Sequence, residues 1–231
     1  MIYITGDTHG QFKRVETFCQ RFQTTREDIL IILGDAGINF SGGIRDEMKK
    51  RHLESLSITL FCIHGNHDQR PRTIDTYQEM DWHGGSVYYE EEYPHLLFAR
   101  DGDIFDFDGK KAIAIGGAYS IDKMVRLIYG YGWWPDEQPS EEIKRYVEQQ
   151  LEKQNWKVDV VLSHTIPLKY EPIEVFLSGI DQSKVDKSTE IWLDEIEERL
   201  DYKKWYCGHY HIEKKIDKLE IMFEYFDEFY S

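Results

Sequence analysis

Residues Asp28–Leu33 contain the uninterrupted apolar run ILIIL. A strand with one wet face alternates apolar and polar side chains, so this segment demands cover on both faces, as in the centre of a parallel sheet between two further layers. Ile2–Thr5, Ser57–Ile63 and Val158–Leu162 read as strands of the same kind. Between them, Gln11–Phe22 places Phe12, Val15, Phe18, Cys19 and Phe22 at helical spacing, and Ile44–Leu56 is a predicted helix.

The middle of the chain has a different rhythm. Short strands are predicted at Ser86–Tyr89, His95–Ala99, Ile104–Phe107 and Lys111–Ile115, with Asp108-Gly109 as a hairpin turn. Ser120–Ser140, which holds Trp133, Trp134, Pro135 and Pro139, reads as a loop insertion. Ser140 opens a helix that runs to about Asn155. A further helix spans Lys187–Leu200, with Ile191, Leu193, Ile196 and Leu200 as its apolar face, and Tyr202–Tyr225 reads as strands around a turn near Lys218. Strand–helix alternation, then hairpins, then a return to alternation predicts an α/β fold of two packed sheets with helices outside. No repeat or Gly/Ser linker divides the 231 residues, so one domain over 1–231 is expected.

Composition excludes several classes. No apolar run reaches the roughly 18 residues a membrane span needs. The start, MIYITGD, reads as a strand and not a signal peptide, so Met1 is expected to begin the mature protein. Cys19, Cys62 and Cys207 are an odd, scattered set that offers neither a disulfide framework nor a thiolate metal site; a reducing cytoplasm is the expected compartment. The net charge of −15 argues against a broad footprint on duplex nucleic acid, although a short or single strand held by local groups stays open.

The chemistry is concentrated in five segments, each following an apolar strand: GDTHG at 6–10, GDAG at 34–37, GNHD at 65–68, Ser163-His164, and GHYH at 208–211. They supply Asp7, His9, Asp35, Asn66, His67, His164, His209 and His211 at strand ends, where ligands gather in α/β sheets. Imidazole and carboxylate together suit zinc, iron, manganese and similar ions. Asp7 and His9, like His209 and His211, flank one residue, so an extended backbone would aim each pair the same way.

In this order the five segments resemble the calcineurin-like metallophosphoesterase family, with its D-x-H, G-D, G-N-H-[DE], H and G-H-x-H pattern. The resemblance covers Asp7 to His211 and implies two mixed β-sheets in a sandwich with helices on both outer faces. It implies two divalent ions, drawn from Mn, Fe, Zn or Ni, with Mn the expected activator in vitro. Asp7, His9, Asp35 and His211 would hold one ion; Asp35, Asn66, His164 and His209 would hold the other, with Asp35 shared. His67 would be the general acid rather than a ligand. The implied reaction is hydrolysis of a phosphate mono- or diester on a small phosphorylated substrate, by attack of a hydroxide bridging the ions.

The pattern departs from that of the family's Ser/Thr protein phosphatases, which extend the second motif as GDxVDRG. Here the segment is GDAGINF: Ile38 stands where a second aspartate would partner His67, and the phosphate-binding arginine is missing. Asp68 could replace that partner, and Arg70 could reach a phosphate or be purely structural. Tyr131, Trp133 and Trp134 could form a substrate lid or pack on the sheet. His52, His64, His83 and His95 read as structural, Thr8 as filling its turn, Cys62 and Cys207 as core, and Glu90–Glu92 as a solvated loop. Two other readings stay open: a nuclease for short or single-stranded nucleic acid, and a non-catalytic scaffold.

Overall fold

A computed structural model describes residues 1–230. Its first sheet forms from β1 (Ile2–Thr5), β2 (Ile29–Ile32), β3 (Thr59–Cys62), β4 (Gln78–Trp82), β5 (Gly85–Glu90) and β6 (Tyr93–Ala99). The second forms from β7 (Ile104–Phe107), β8 (Lys110–Ile115), β9 (Val160–Ser163), β10 (Lys204–Cys207), β11 (Lys214–Ile216) and β12 (Leu219–Ile221), after which β13 (Phe226–Glu228) returns to the first. The strand orders are β13-β1-β2-β3-β6-β5-β4 and β11-β12-β10-β9-β8-β7. In each sheet four central strands run parallel, β1-β2-β3-β6 and β12-β10-β9-β8, and the outer strands are antiparallel.

The ILIIL run behaves as its composition requires. Ile29, Ile31 and Leu33 point into the core between the sheets with Phe61, Phe105 and Leu162. Leu30 and Ile32 point outward, into a second core with Val15 and Phe18 of α1 (Lys13–Phe22) and Leu53 of α2 (Ile44–Glu54). A third core lies outside the second sheet, under α4 (Glu141–Lys153) and α5 (Ser188–Arg199). The result is the expected sandwich with helices on both outer faces. Its hairpin turn is as read, with Asp108 and Gly109 at φ 52° and 78°, the left-handed pair a type I′ turn needs. Ser140 caps α4 by accepting a hydrogen bond from the Ile143 amide.

Four details differ from the expectation. The segment read as a loop insertion contains α3 (Lys123–Tyr129), whose apolar residues Met124, Val125, Leu127, Ile128 and Tyr129 surround Arg126, are exposed and so give no amphipathic period. In α5 the buried face uses Trp192, whose indole donates to Glu148, while Ile191 faces solvent. Edge strand β4 is too polar to show an apolar signal. Glu90 is not solvated: it ends β5 buried, paired with Lys50 of α2 at 2.5 Å, because the two charges offset each other's desolvation.

Candidate metal centre

β1, β2 and β3 of one sheet and β9 and β10 of the other deliver their following loops to one end of the sandwich. All seven residues proposed from the motifs as ligands meet there. Asp7 Oδ2 lies 3.3 Å from His211 Nε2 and 3.6 Å from His9 Nε2, and these two imidazole nitrogens are 2.7 Å apart. On the other side, Asn66 Oδ1 lies 2.8 Å from His164 Nε2 and 3.1 Å from His209 Nδ1. Asp35 sits between the two groups, with Oδ2 3.9 Å from His9 Nδ1 and Oδ1 3.7 Å from His164 Nε2.

The backbone at these loops is not the extended one the D-x-H and H-x-H spacing suggested. His9, Asp35, His209 and His211 adopt φ values of 47°, 42°, 69° and 53°. Left-handed backbone at a non-glycine residue costs about 1–2 kcal/mol and persists where the surroundings enforce it, typically at functional sites. Close approach explains two of the motif glycines. A Cβ on Gly65 would stand 2.1 Å from Asp35 Oδ1, and one on Gly208 would stand 2.1 Å from Asp7 Oδ1.

Electrostatics single out the two aspartates. Both are almost wholly buried. Burial pushes the Asp7 carboxyl up, but the His211 contact, the neighbouring imidazoles and the His209 amide outweigh it and hold Asp7 below the usual carboxylate range. Asp35 is raised well above it, first by burial and then by the charges of Asp7 and Asp68. Burial also depresses His209, to about 3. Asp7 Oδ2 is buried and accepts no hydrogen bond. An orphaned carboxylate oxygen, faced by ring nitrogens crowded to 2.7 Å, is the arrangement that a cation between them relieves. Asp7 with His9 and His211, and Asp7 with Asp35 and His164, each bring ligand atoms within 4.8 Å of one another, so the residues fit divalent ions.

His67 stands beside this set. Its amide donates to Asp35 Oδ1 at 2.9 Å, and its Nε2 lies 3.8 Å from Asp35 Oδ2. Burial and the adjacent Arg126 depress its pKa to about 2. Asp68 does not partner it, because both Asp68 oxygens accept from the Gly37 amide. The neighbour of His67 is Arg126 on α3, with Nη2 at 3.4 Å from Nε2. Arg126 is held there by Asp122 Oδ2 and the Gly132 carbonyl. No motif marks this arginine; the one available signal was a cation flanked on both sides by pairs of apolar residues, Met124-Val125 and Leu127-Ile128.

The other residues read as substrate-binding are elsewhere. Arg70 is buried, its Nη1 paired with Asp101 and its Nε donating to the Asp136 carbonyl, which makes it structural. Trp133 donates to Glu137 and carries Lys123 over its ring at 4.2 Å. Neither it nor Trp134 lines the cavity of about 520 Å³ that opens on Asp35, Asn66, His67, His209 and His211; Tyr119 and Ile121 do so on that side. Thr8 fills its turn, donating to the Ala36 carbonyl.

The profile of the family described as calcineurin-like phosphoesterase matches residues 1–213. The chain belongs to that family. As a calcineurin-like phosphoesterase it is a metal-dependent hydrolase of phosphoesters. Among solved structures it is similar to TT1561 of Thermus thermophilus, at 12% identity and a TM-score of 0.51, over 96% of this chain and 87% of that one. It is also similar to the phosphopantetheinyl hydrolase PptH of Mycobacterium tuberculosis, at 13% identity and a TM-score of 0.43, over 96% and 87% of the two chains. At 12% identity the Thermus likeness is one of fold alone. A search of curated proteins finds no match. No helix among the described residues is long and apolar enough to cross a membrane.

Proposed function

We propose that this phosphoesterase is dinuclear, with Asp7, His9, Asp35 and His211 holding one divalent ion and Asp35, Asn66, His164 and His209 the other. The supporting observation is the placement of Asp35, whose two oxygens face different imidazole groups. Such a pair of ions would supply Lewis acidity, activating water and neutralising phosphate charge. The chain's own groups do the rest. The Leu33 carbonyl lies 2.8 Å from His164 Nδ1 and fixes that ring, leaving Nε2 as its ligand atom. Arg126 takes the place of the arginine absent from the second motif and draws a phosphate oxygen toward His67. His67 Nε2 lies on the open side of Asp35, and a bound phosphate's negative charge would offset the burial and the Arg126 cation that keep the free ring neutral, so that the ring can take up a proton and give it to the departing alkoxide.

Hydrolysis of p-nitrophenyl phosphate and of bis-p-nitrophenyl phosphate with added Mn²⁺ tests this reading. Turnover of at least one ester is expected, and Asp35→Asn is expected to lose bound metal and activity together. Folded protein that turns over neither ester with Mn, Fe, Zn or Ni would overturn it. A Ser/Thr protein phosphatase is the poorer reading, since Ile38 is fully buried in the position where those enzymes carry a carboxylate.

A further inference from the structure

The cavity over the metal centre is two-faced. One part of its lining carries the candidate ligands; the rest comes from the Ile173–Val185 region, the loop after β8, and Tyr210 and Ile212, which alternate with the ligands in the loop after β10. That apolar part is built by Ile121, Val175, Leu177 and Ile212 with Phe176 and Tyr210, whose rings stack with centroids 6.4 Å apart. Ile121, Val175 and Leu177 are 44%, 39% and 62% exposed, so the protein itself leaves this apolar surface uncovered. The charged groups beside it are matched among themselves and leave no free cation. Asp122 is paired with Arg126 at 2.8 Å, Lys187, the one ammonium among the described lining residues, is bound to Glu171 at 2.6 Å, and Glu190 is buried against the Thr165 hydroxyl.

We infer that the cavity takes a phosphoester whose organic group is an uncharged, mainly aliphatic chain, seated on Val175, Leu177 and Ile212, and that it rejects esters carrying a second phosphate. The inference rests on the phosphoesterase reading and adds the substrate class. The apolar wall and the ligands share one cavity, so the group attached to a phosphorus at the centre leads onto that wall. A second phosphate there would find no unpaired cation among the described lining residues to offset the loss of its hydration. Polynucleotide is disfavoured on the same ground, since its neighbouring phosphates would find no free cation beside the centre.

The test is a ladder of n-alkyl p-nitrophenyl phosphates, methyl to hexyl, assayed with Mn²⁺. With one side of the wall open to water, each methylene is expected to raise kcat/KM about twofold, half the effect of full burial, or about thirtyfold over the ladder. The double variant Val175→Ser/Leu177→Ser should flatten the hexyl-to-methyl ratio to about threefold. Because the readout is a ratio, a general loss of activity cancels. A thymidine ester carrying an additional phosphate should be cleaved more slowly than the hexyl ester. A flat ladder, or preference for the doubly phosphorylated ester, overturns the inference. If none of the esters is hydrolysed, the phosphoesterase reading fails, and calorimetric binding of hexylphosphonate against methylphosphonate still decides the cavity: tighter hexyl binding, abolished in the double variant, upholds it, and equal affinities refute it.

Discussion

Arg126 and His67 form a pair that no motif joins, 3.4 Å apart and drawn from segments 59 residues apart in sequence. They are expected to act at different stages. His67→Ala should keep its metal and lower kcat by about 10²–10⁴, more for an alkyl than for a nitrophenyl leaving group, because only a poor leaving group needs the proton. Arg126→Gln should instead raise KM for monoesters, with the smaller effect on kcat, because it removes a charge that meets the phosphate in the ground state. Steady-state kinetics on both variants, with metal content measured alongside, separates the two. The seven candidate ligands were legible because each couples a residue type to a strand end. Arg126 was not, since its placement depends on Asp122 and the Gly132 carbonyl within a segment without period. Arg70 was misleading for the same reason: only the fold sets Asp101 against it.

Elements carry their own consequences. The β10 loop approaches so closely that Gly208 touches Asp7. Gly208→Ala is expected to leave the sheets intact by circular dichroism but to reduce bound metal at least tenfold, as the added methyl displaces the Asp7 carboxylate. At the start of α5, Glu190 is buried and accepts from the Thr165 hydroxyl at 2.7 Å. Burial raises its pKa from 4.5 to about 7. The folded state therefore keeps a proton that the unfolded chain has released, so this group's contribution is full below pH 4.5 and fades as pH rises through about 7. The adjoining Glu171 pushes in the same direction and Lys187 opposes it. Glu190→Gln should consequently melt higher than the parent at pH 8, by several degrees for an effect on the order of 2 kcal/mol, and match it near pH 4.5. Melting temperatures across that range check the sign. The central strands and the long helices were readable because burial on one or two faces writes a period into them. β4 and α3 were not, since one is a polar edge and the other shows its apolar residues to the outside.

At the scale of the molecule, the two sheets meet with a buried pair of carboxylates and four strained backbones at one end of their interface. Cations bound there would stabilise the folded state alone, by about 2.7 kcal/mol per site at a concentration a hundredfold above Kd. Saturating Mn²⁺ is thus expected to raise the melting temperature by about 5 °C or more, a chelator to reverse it, and Asp35→Asn to be insensitive to both. The sandwich itself was legible from the alternation of strands and helices. The depth of the centre was not, because it arises only when β9 and β10 are laid beside the sheet that carries β1–β3.

That arrangement has a kinetic corollary. His9 and His211 touch across a separation of 202 residues, so nearly the entire polypeptide is enclosed between two contacting imidazoles. Closing so long a loop is a late event in any folding sequence dominated by nearer contacts. The Asp7–His9–His211 cluster is therefore expected to assemble late, and ion capture there can serve as a stopwatch: its appearance after dilution from denaturant marks the moment at which the two halves of the protein have found each other.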